Sequence, residues 1–135
     1  MSKVKVLVVD DEKEFATTLA ERLNIRGFET TACFCCEDAI ALIHSNDIPD
    51  VVLLDLKMPR MDGMEALEEI KKYNPTIEVI MLTGHGGGIP LIGAAKEKHC
   101  PFDCVIKPAD INELATKIKQ AMAKRQNAIK EGKGA

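Results

Sequence analysis

Four short apolar runs, each closed by a charged or hydroxyl residue, constrain this chain more than any other feature. VKVLVVDD ends in Asp10 and Asp11, DVVLLD in Asp55, IEVIMLT in Thr83, and CVIK in Lys107, with Pro108 next. Each run has the length and β-branched richness of a buried strand. In an open α/β sheet, ligands bind beyond the carboxyl ends of the strands, where the strand order reverses. Residues scattered over nearly the whole chain therefore converge on one edge of one sheet. Three carboxylates, a hydroxyl and an ammonium at such an edge suit a divalent metal and a phosphoryl group.

Between these runs the sequence alternates with helical patterns. Strands are expected over 3–9, 29–33, 50–54, 78–82 and 103–106, and helices over 12–24, 36–45, 64–73, 89–98 and 111–124. In the first helix Phe15, Leu19 and Leu23, joined by Ala16 and Ala20, fill one face at a four-residue spacing. Gly27 is placed to end it in a left-handed conformation, and Asp110 to cap the last helix. VVLL at 51–54 is apolar on both faces, as a central parallel strand requires. Turn residues fill 57–63, and four glycines lie between Gly84 and Gly88. Strict alternation of strand and helix implies right-handed crossovers and one parallel sheet covered on both sides. The expected domain spans 1–124, with 125–135 a polar, Gly-rich tail or the start of a linker that frays.

Composition removes several function classes. A chain of 135 residues that is 46% apolar suits one domain with a full core. With a net charge of −3 and no Trp, nucleic-acid binding by this chain alone is not expected. No apolar run approaches the ~20 residues of a membrane span, and the start lacks a signal-peptide pattern, so the expected location is cytoplasmic. Five cysteines, an odd number, support neither a disulfide framework nor a zinc site and read as small core residues in a reducing compartment, although the vicinal pair Cys35-Cys36 leaves a redox role open. No P-loop, nucleophile elbow or H-E-x-x-H pattern is present.

LVVDDE, VVLLDLKMPRMDGMEAL, VIMLTGHG and DCVIKP, in this order and at this spacing, resemble the receiver domain of two-component response regulators. The resemblance extends over about 4–122. It implies a doubly wound, flavodoxin-like five-stranded parallel sheet in the order 2-1-3-4-5, which sets the first strand beside the third. By motif position Asp55 is the implied phosphate acceptor, aided by charge neutralisation and positioning because a carboxylate is a weak nucleophile. Mg2+, for which Mn2+ could substitute, is implied on Asp11, Asp55 and the backbone carbonyl of Lys57, with Asp10 acting through a water. Lys107 would pair with one phosphoryl oxygen, and Thr83 would donate its hydroxyl to another only once Asp55 is phosphorylated, biasing a two-state equilibrium. The bond to Pro108 is commonly cis in this family. Lys57 and His85, two residues beyond Asp55 and Thr83, occupy positions that tune hydrolysis of the acyl phosphate. The implied phosphoryl donor is a sensor histidine kinase or a phosphotransfer protein. The implied output face combines the 89–98 helix, the last strand and the last helix, and would take an output domain, a partner or a second copy as a homodimer. Such a domain catalyses its own phosphorylation and dephosphorylation without being a turnover enzyme.

The chain departs from the family pattern three residues before Lys107. Cys104 stands where receivers carry Tyr or Phe, and a thiol cannot reproduce the burial change of an aromatic ring. Phe102 is the nearest aromatic that could substitute. About two extra residues separate Thr83 from Lys107, around 86–88 and 99–101. Two rival readings follow. A pseudo-receiver would keep the fold as an interaction module without turning over phosphate. An aspartate-nucleophile phosphohydrolase would need a second Asp where Asp55-Leu56-Lys57 has Lys57.

Overall fold

A computed structural model describes residues 3–45, 48–55, 63–84, 103–107 and 110–131. Strands β1 (Lys5–Val9), β2 (Glu29–Cys33), β3 (Val51–Asp55), β4 (Glu78–Thr83) and β5 (Asp103–Ile106) form one sheet in the order β2-β1-β3-β4-β5. Every neighbouring pair is parallel. Helices α1 (Lys13–Ile25), α2 (Cys36–Ile43) and α3 (Gly63–Tyr73) precede a long C-terminal helix, Ile111–Lys130. The helix expected over 89–98 lies outside the described residues.

Side-chain alternation along the central strands fills two cores. Leu7, Val9, Val52, Leu54, Val79 and Met81 face α2 and α3. Val6, Val8, Val51, Leu53, Ile80 and Leu82 face α1 and the C-terminal helix. Every residue of β3 and β4 is buried, so these strands have no solvent face and need the apolar runs seen in the sequence. At one edge β2 alternates between exposed and partly buried positions until the buried Cys33, as a half-covered strand does. Gly27 adopts φ 96° after α1, the left-handed conformation expected of it. The Asn24 side chain then clamps β2, accepting from the Thr30 amide at 2.7 Å and donating to its carbonyl at 3.3 Å. Asp110 caps the C-terminal helix, accepting from the Asn112 amide at 3.3 Å.

The expected end of the last helix near 124 is corrected: it continues to Lys130. The glycines that suggest a frayed tail begin only at 132, and 125–130 contain no helix breaker. Ion pairs also anchor the extension to the amino ends of the strands. Arg125 lies 3.5 Å from Asp50, and Lys124 lies 3.5 Å from the buried Glu78, which Lys71 approaches to 3.6 Å. Asp50 also accepts from the Lys5 amide at 2.9 Å. Arg125→Ala is therefore expected to cost about 1 kcal/mol, the range of a partly exposed ion pair, and to speed amide exchange selectively over 124–130. Unchanged exchange there would show that the helix extends without this anchor.

Among the described residues Cys33, Cys35 and Cys104 are free thiols. Cys33 and Cys36 lie within the core on the α2–α3 side. Burial first, then the nearby Asp38 and Cys35, pushes the Cys33 thiol up to about 11, so it carries no thiolate at neutral pH. These features match small hydrophobic residues.

Candidate functional site

At the carboxyl edge of the sheet, the β1–β3 pairing puts Val9 beside Leu54 and so brings the residues that follow them together. Asp10 comes directly after β1, and its amide still donates to the Cys33 carbonyl at 3.1 Å. Its Oδ1 accepts from the Glu12 amide at 2.9 Å, turning the chain into α1. A helix-start role for Asp10 and a place in the site are thus the same geometry. Asp55 is the last residue of β3, one position further along the strand than expected, and is 6% exposed. Asp10, Asp11 and Asp55 each offer a carboxylate oxygen, and all three oxygens lie within 4.8 Å of one another. Among the described residues this is the one cluster of three potential metal ligands.

Lys107 follows β5, and its amide donates to the Thr83 carbonyl at 2.7 Å, tying together the ends of β4 and β5. Its ammonium lies 2.6 Å from Asp10 Oδ2, 2.9 Å from Glu12 Oε1 and 3.6 Å from Asp55 Oδ1. The same nitrogen stands 4.8 Å from the centre of the Phe15 ring, a cation–π distance. Thr83, 1% exposed, ends β4, and its buried Oγ1 has no hydrogen-bond partner among the described residues. Buried hydroxyls are normally satisfied, so this one suits a ligand that brings an acceptor.

The charges are unbalanced. Asp10 is fully buried. Burial raises its pKa, and the hydrogen bonds from Lys107 and the Glu12 amide only partly oppose that rise. For Lys107, burial works to lower the pKa, but hydrogen bonds to Asp10 and Glu12 and the charges of Asp10 and Asp55 outweigh it, and the ammonium is held above its ordinary value. Three carboxylates against one ammonium leave two negative charges, which a divalent cation would offset. An all-oxygen donor set is the kind Mg2+ accepts. The acidic cluster and the unsatisfied Thr83 hydroxyl therefore fit a divalent ion and a phosphoryl group side by side.

Of the residues singled out in the sequence, Asp10, Asp11, Asp55, Thr83 and Lys107 meet at this edge. Lys57, His85, Pro108 and Phe102 lie outside the described residues. Cys104 pairs with Met81 in the β4–β5 register and packs, half-buried, against the α2–α3 core. Glu12 and Phe15 were not expected at the site. Glu12 is an unremarked acid beside two more prominent ones, and Phe15 reads simply as part of the apolar face of α1.

Comparison with known proteins identifies the family. Residues 6–119 match the family model described as the response regulator receiver domain. The chain is 34% identical over 121 residues to the regulatory protein AtoC of Escherichia coli, covering 87% of this chain and 25% of that protein. It thus spans about a quarter of the length of that relative. It is 32% identical over 127 residues to sporulation initiation phosphotransferase F of Bacillus subtilis, covering 94% of this chain and 100% of that protein. Among solved structures, a receiver domain protein from Clostridium thermocellum superposes with a TM-score of 0.83 at 33% identity, covering 91% of this chain and 97% of that one. NtrX from Brucella abortus, solved with ADP, gives a TM-score of 0.86 at 30% identity, over 97% of this chain and 30% of that one. With the family's sheet order and its acidic edge both in place, the chain belongs to the response regulator receiver domain family.

Proposed function

We propose that this domain accepts a phosphoryl group on Asp55 and changes conformation in response. The observation that carries the reading is the meeting of Asp55 with Asp10 and Asp11 within 4.8 Å, facing an ammonium 3.6 Å from Asp55. Receiver domains bind Mg2+ through acidic residues. Here Asp11 and Asp55 would hold the ion directly, with the Lys57 carbonyl, and Asp10 through a water. When bound, the ion screens the charge on the donor phosphate and on the carboxylate that attacks it. The Asp55 oxygen forms the new bond to phosphorus, and the bond to the leaving atom of the donor breaks, that atom keeping the electron pair. Lys107 exchanges a carboxylate partner for a phosphoryl oxygen. Thr83 gains in the same state the acceptor its buried hydroxyl otherwise lacks, an interaction confined to the phosphorylated form and therefore able to shift a two-state equilibrium.

The donor is proposed to be a phosphohistidine on a sensor kinase or a phosphotransfer protein. The response is proposed to act on an output domain or partner near β5 and the C-terminal helix. Cys104 at the usual aromatic position leaves the switch to Thr83, the backbone and other side chains. Intact mass after incubation with acetyl phosphate and Mg2+ tests the reading. One phosphoryl adduct that requires the metal is expected. A folded protein that neither gains the adduct nor binds beryllofluoride with Mg2+ would instead be the pseudo-receiver, an interaction module without phosphate turnover.

A further inference from the structure

Three carboxylates touch the Lys107 ammonium, and one of them stands apart. Asp10 and Asp55 belong to the acidic cluster, whereas Glu12 does not. The Glu12 backbone is fixed at both ends: its amide donates to Asp10 Oδ1 at 2.9 Å, and its carbonyl accepts from the Ala16 amide at 2.9 Å. Its side chain is 65% exposed yet reaches Lys107 at 2.9 Å, against 14% exposure for the lysine. An exposed carboxylate can return to water at small cost, whereas a buried one cannot. Phe15, one turn along the same helix, offers its ring to the same ammonium at 4.8 Å. The start of α1 therefore supplies a second cradle for the lysine, outside the acidic cluster.

We infer that Glu12 is a positioning residue that holds Lys107 at the mouth of the pocket and competes with the phosphoryl group for its ammonium. Glu12 has this role only if Asp55 is the phosphoacceptor. Two effects have the same sign. Phosphoryl binding requires Lys107 to give up Glu12, and the Glu12 charge repels an incoming anion. Removing that charge while keeping its shape favours the phosphoryl-bound state on both grounds. A partly exposed ion pair is worth about two- to fivefold in an equilibrium constant. Loss of a helix-start contact or of local order would act the other way, because a looser β1–α1 junction weakens the pocket.

The test is the affinity for beryllofluoride at saturating Mg2+, for the unmodified protein, Glu12→Gln and Glu21→Gln. Glu21 is an exposed acid on the same helix, about 13 Å further along its axis, so its removal controls for net charge. Glu12→Gln is expected to bind about two- to fivefold more tightly, with Glu21→Gln matching the unmodified protein. Equal or weaker binding by Glu12→Gln, or equal tightening by Glu21→Gln, would overturn the role of Glu12 while leaving the phosphoacceptor reading intact. A folded, unmodified protein that binds no beryllofluoride would overturn both.

Discussion

Asp55→Asn is expected to abolish the phosphoryl adduct and, in the same protein, to raise thermal stability in the absence of divalent metal. The first effect is chemical. The amide keeps the shape of the carboxylate but has no anionic oxygen to attack phosphorus, so intact mass after acetyl phosphate and Mg2+ should show no adduct. The second effect is electrostatic. Asp10, Asp11 and Asp55 place carboxylate oxygens within 4.8 Å of one another, and Asp10 is fully buried. At an effective dielectric of about 20, a like-charge pair at about 5 Å costs roughly 3 kcal/mol. Removing Asp55 relieves two such pairs and loses one attraction, to Lys107 at 3.6 Å. The net gain is about 1–2 kcal/mol, roughly 4–8 °C in melting temperature for a domain of this size. Mg2+ should then stabilise the variant less than the unmodified protein. An adduct that persists in the variant would move the acceptor elsewhere. An unchanged melting temperature in EDTA would show that the carboxylates do not strain the fold.

Lys107→Met should act in the opposite direction on stability. Methionine keeps an apolar stem of similar length but removes the ammonium. Asp10 then remains fully buried with its one close cation among the described residues gone. Removing one partner of a buried ion pair typically costs about 3–5 kcal/mol. Asp10 can escape part of that cost by taking up a proton, so a loss of about 2–4 kcal/mol is expected in EDTA at neutral pH. Two titrations separate the causes. Saturating Mg2+ should restore much of the loss, because the ion replaces the missing positive charge. Lowering the pH should also narrow the gap to the unmodified protein. Burial raises the Asp10 pKa above its unfolded value of 3.8, and loss of the lysine raises it further. Charging Asp10 therefore disfavours the folded variant as pH rises, and that penalty shrinks as pH falls through the raised folded value and is gone only below 3.8. A destabilisation independent of both metal and pH would point to lost packing instead.

The sequence made most of the sheet readable because parallel strands buried on both faces have little freedom in composition. VVLL and EVIML could hardly be anything else once helices flanked them. The strand order was not readable from periodicity and came from the motifs. The five site residues were found because each sits where an apolar run stops. Glu12 and Phe15 were missed for a physical reason. Their contact with Lys107 spans about ninety positions and depends on the rotation of α1 about its axis, which no local pattern encodes. The end of the C-terminal helix is not legible from composition: the glycines after Glu131 make 125–135 look polar and loose, while the anchor for Arg125 is Asp50, just before β3.

The pairing of β1 with both β2 and β3 also governs when the pocket can come into being. Among the described strands every pair is parallel, so each meets its neighbour only after a crossover closes a long loop. Such non-local topologies fold slowly and leave little native structure standing on its own. Asp10 comes from the first strand, Asp55 from the middle of the chain and Lys107 from beyond the last strand. A chain still emerging from the ribosome, or one that has lost its final strand to misfolding, holds the acids without the lysine and cannot assemble the pocket. Any chemistry that needs the acids and the lysine together therefore waits until β5 has joined the sheet.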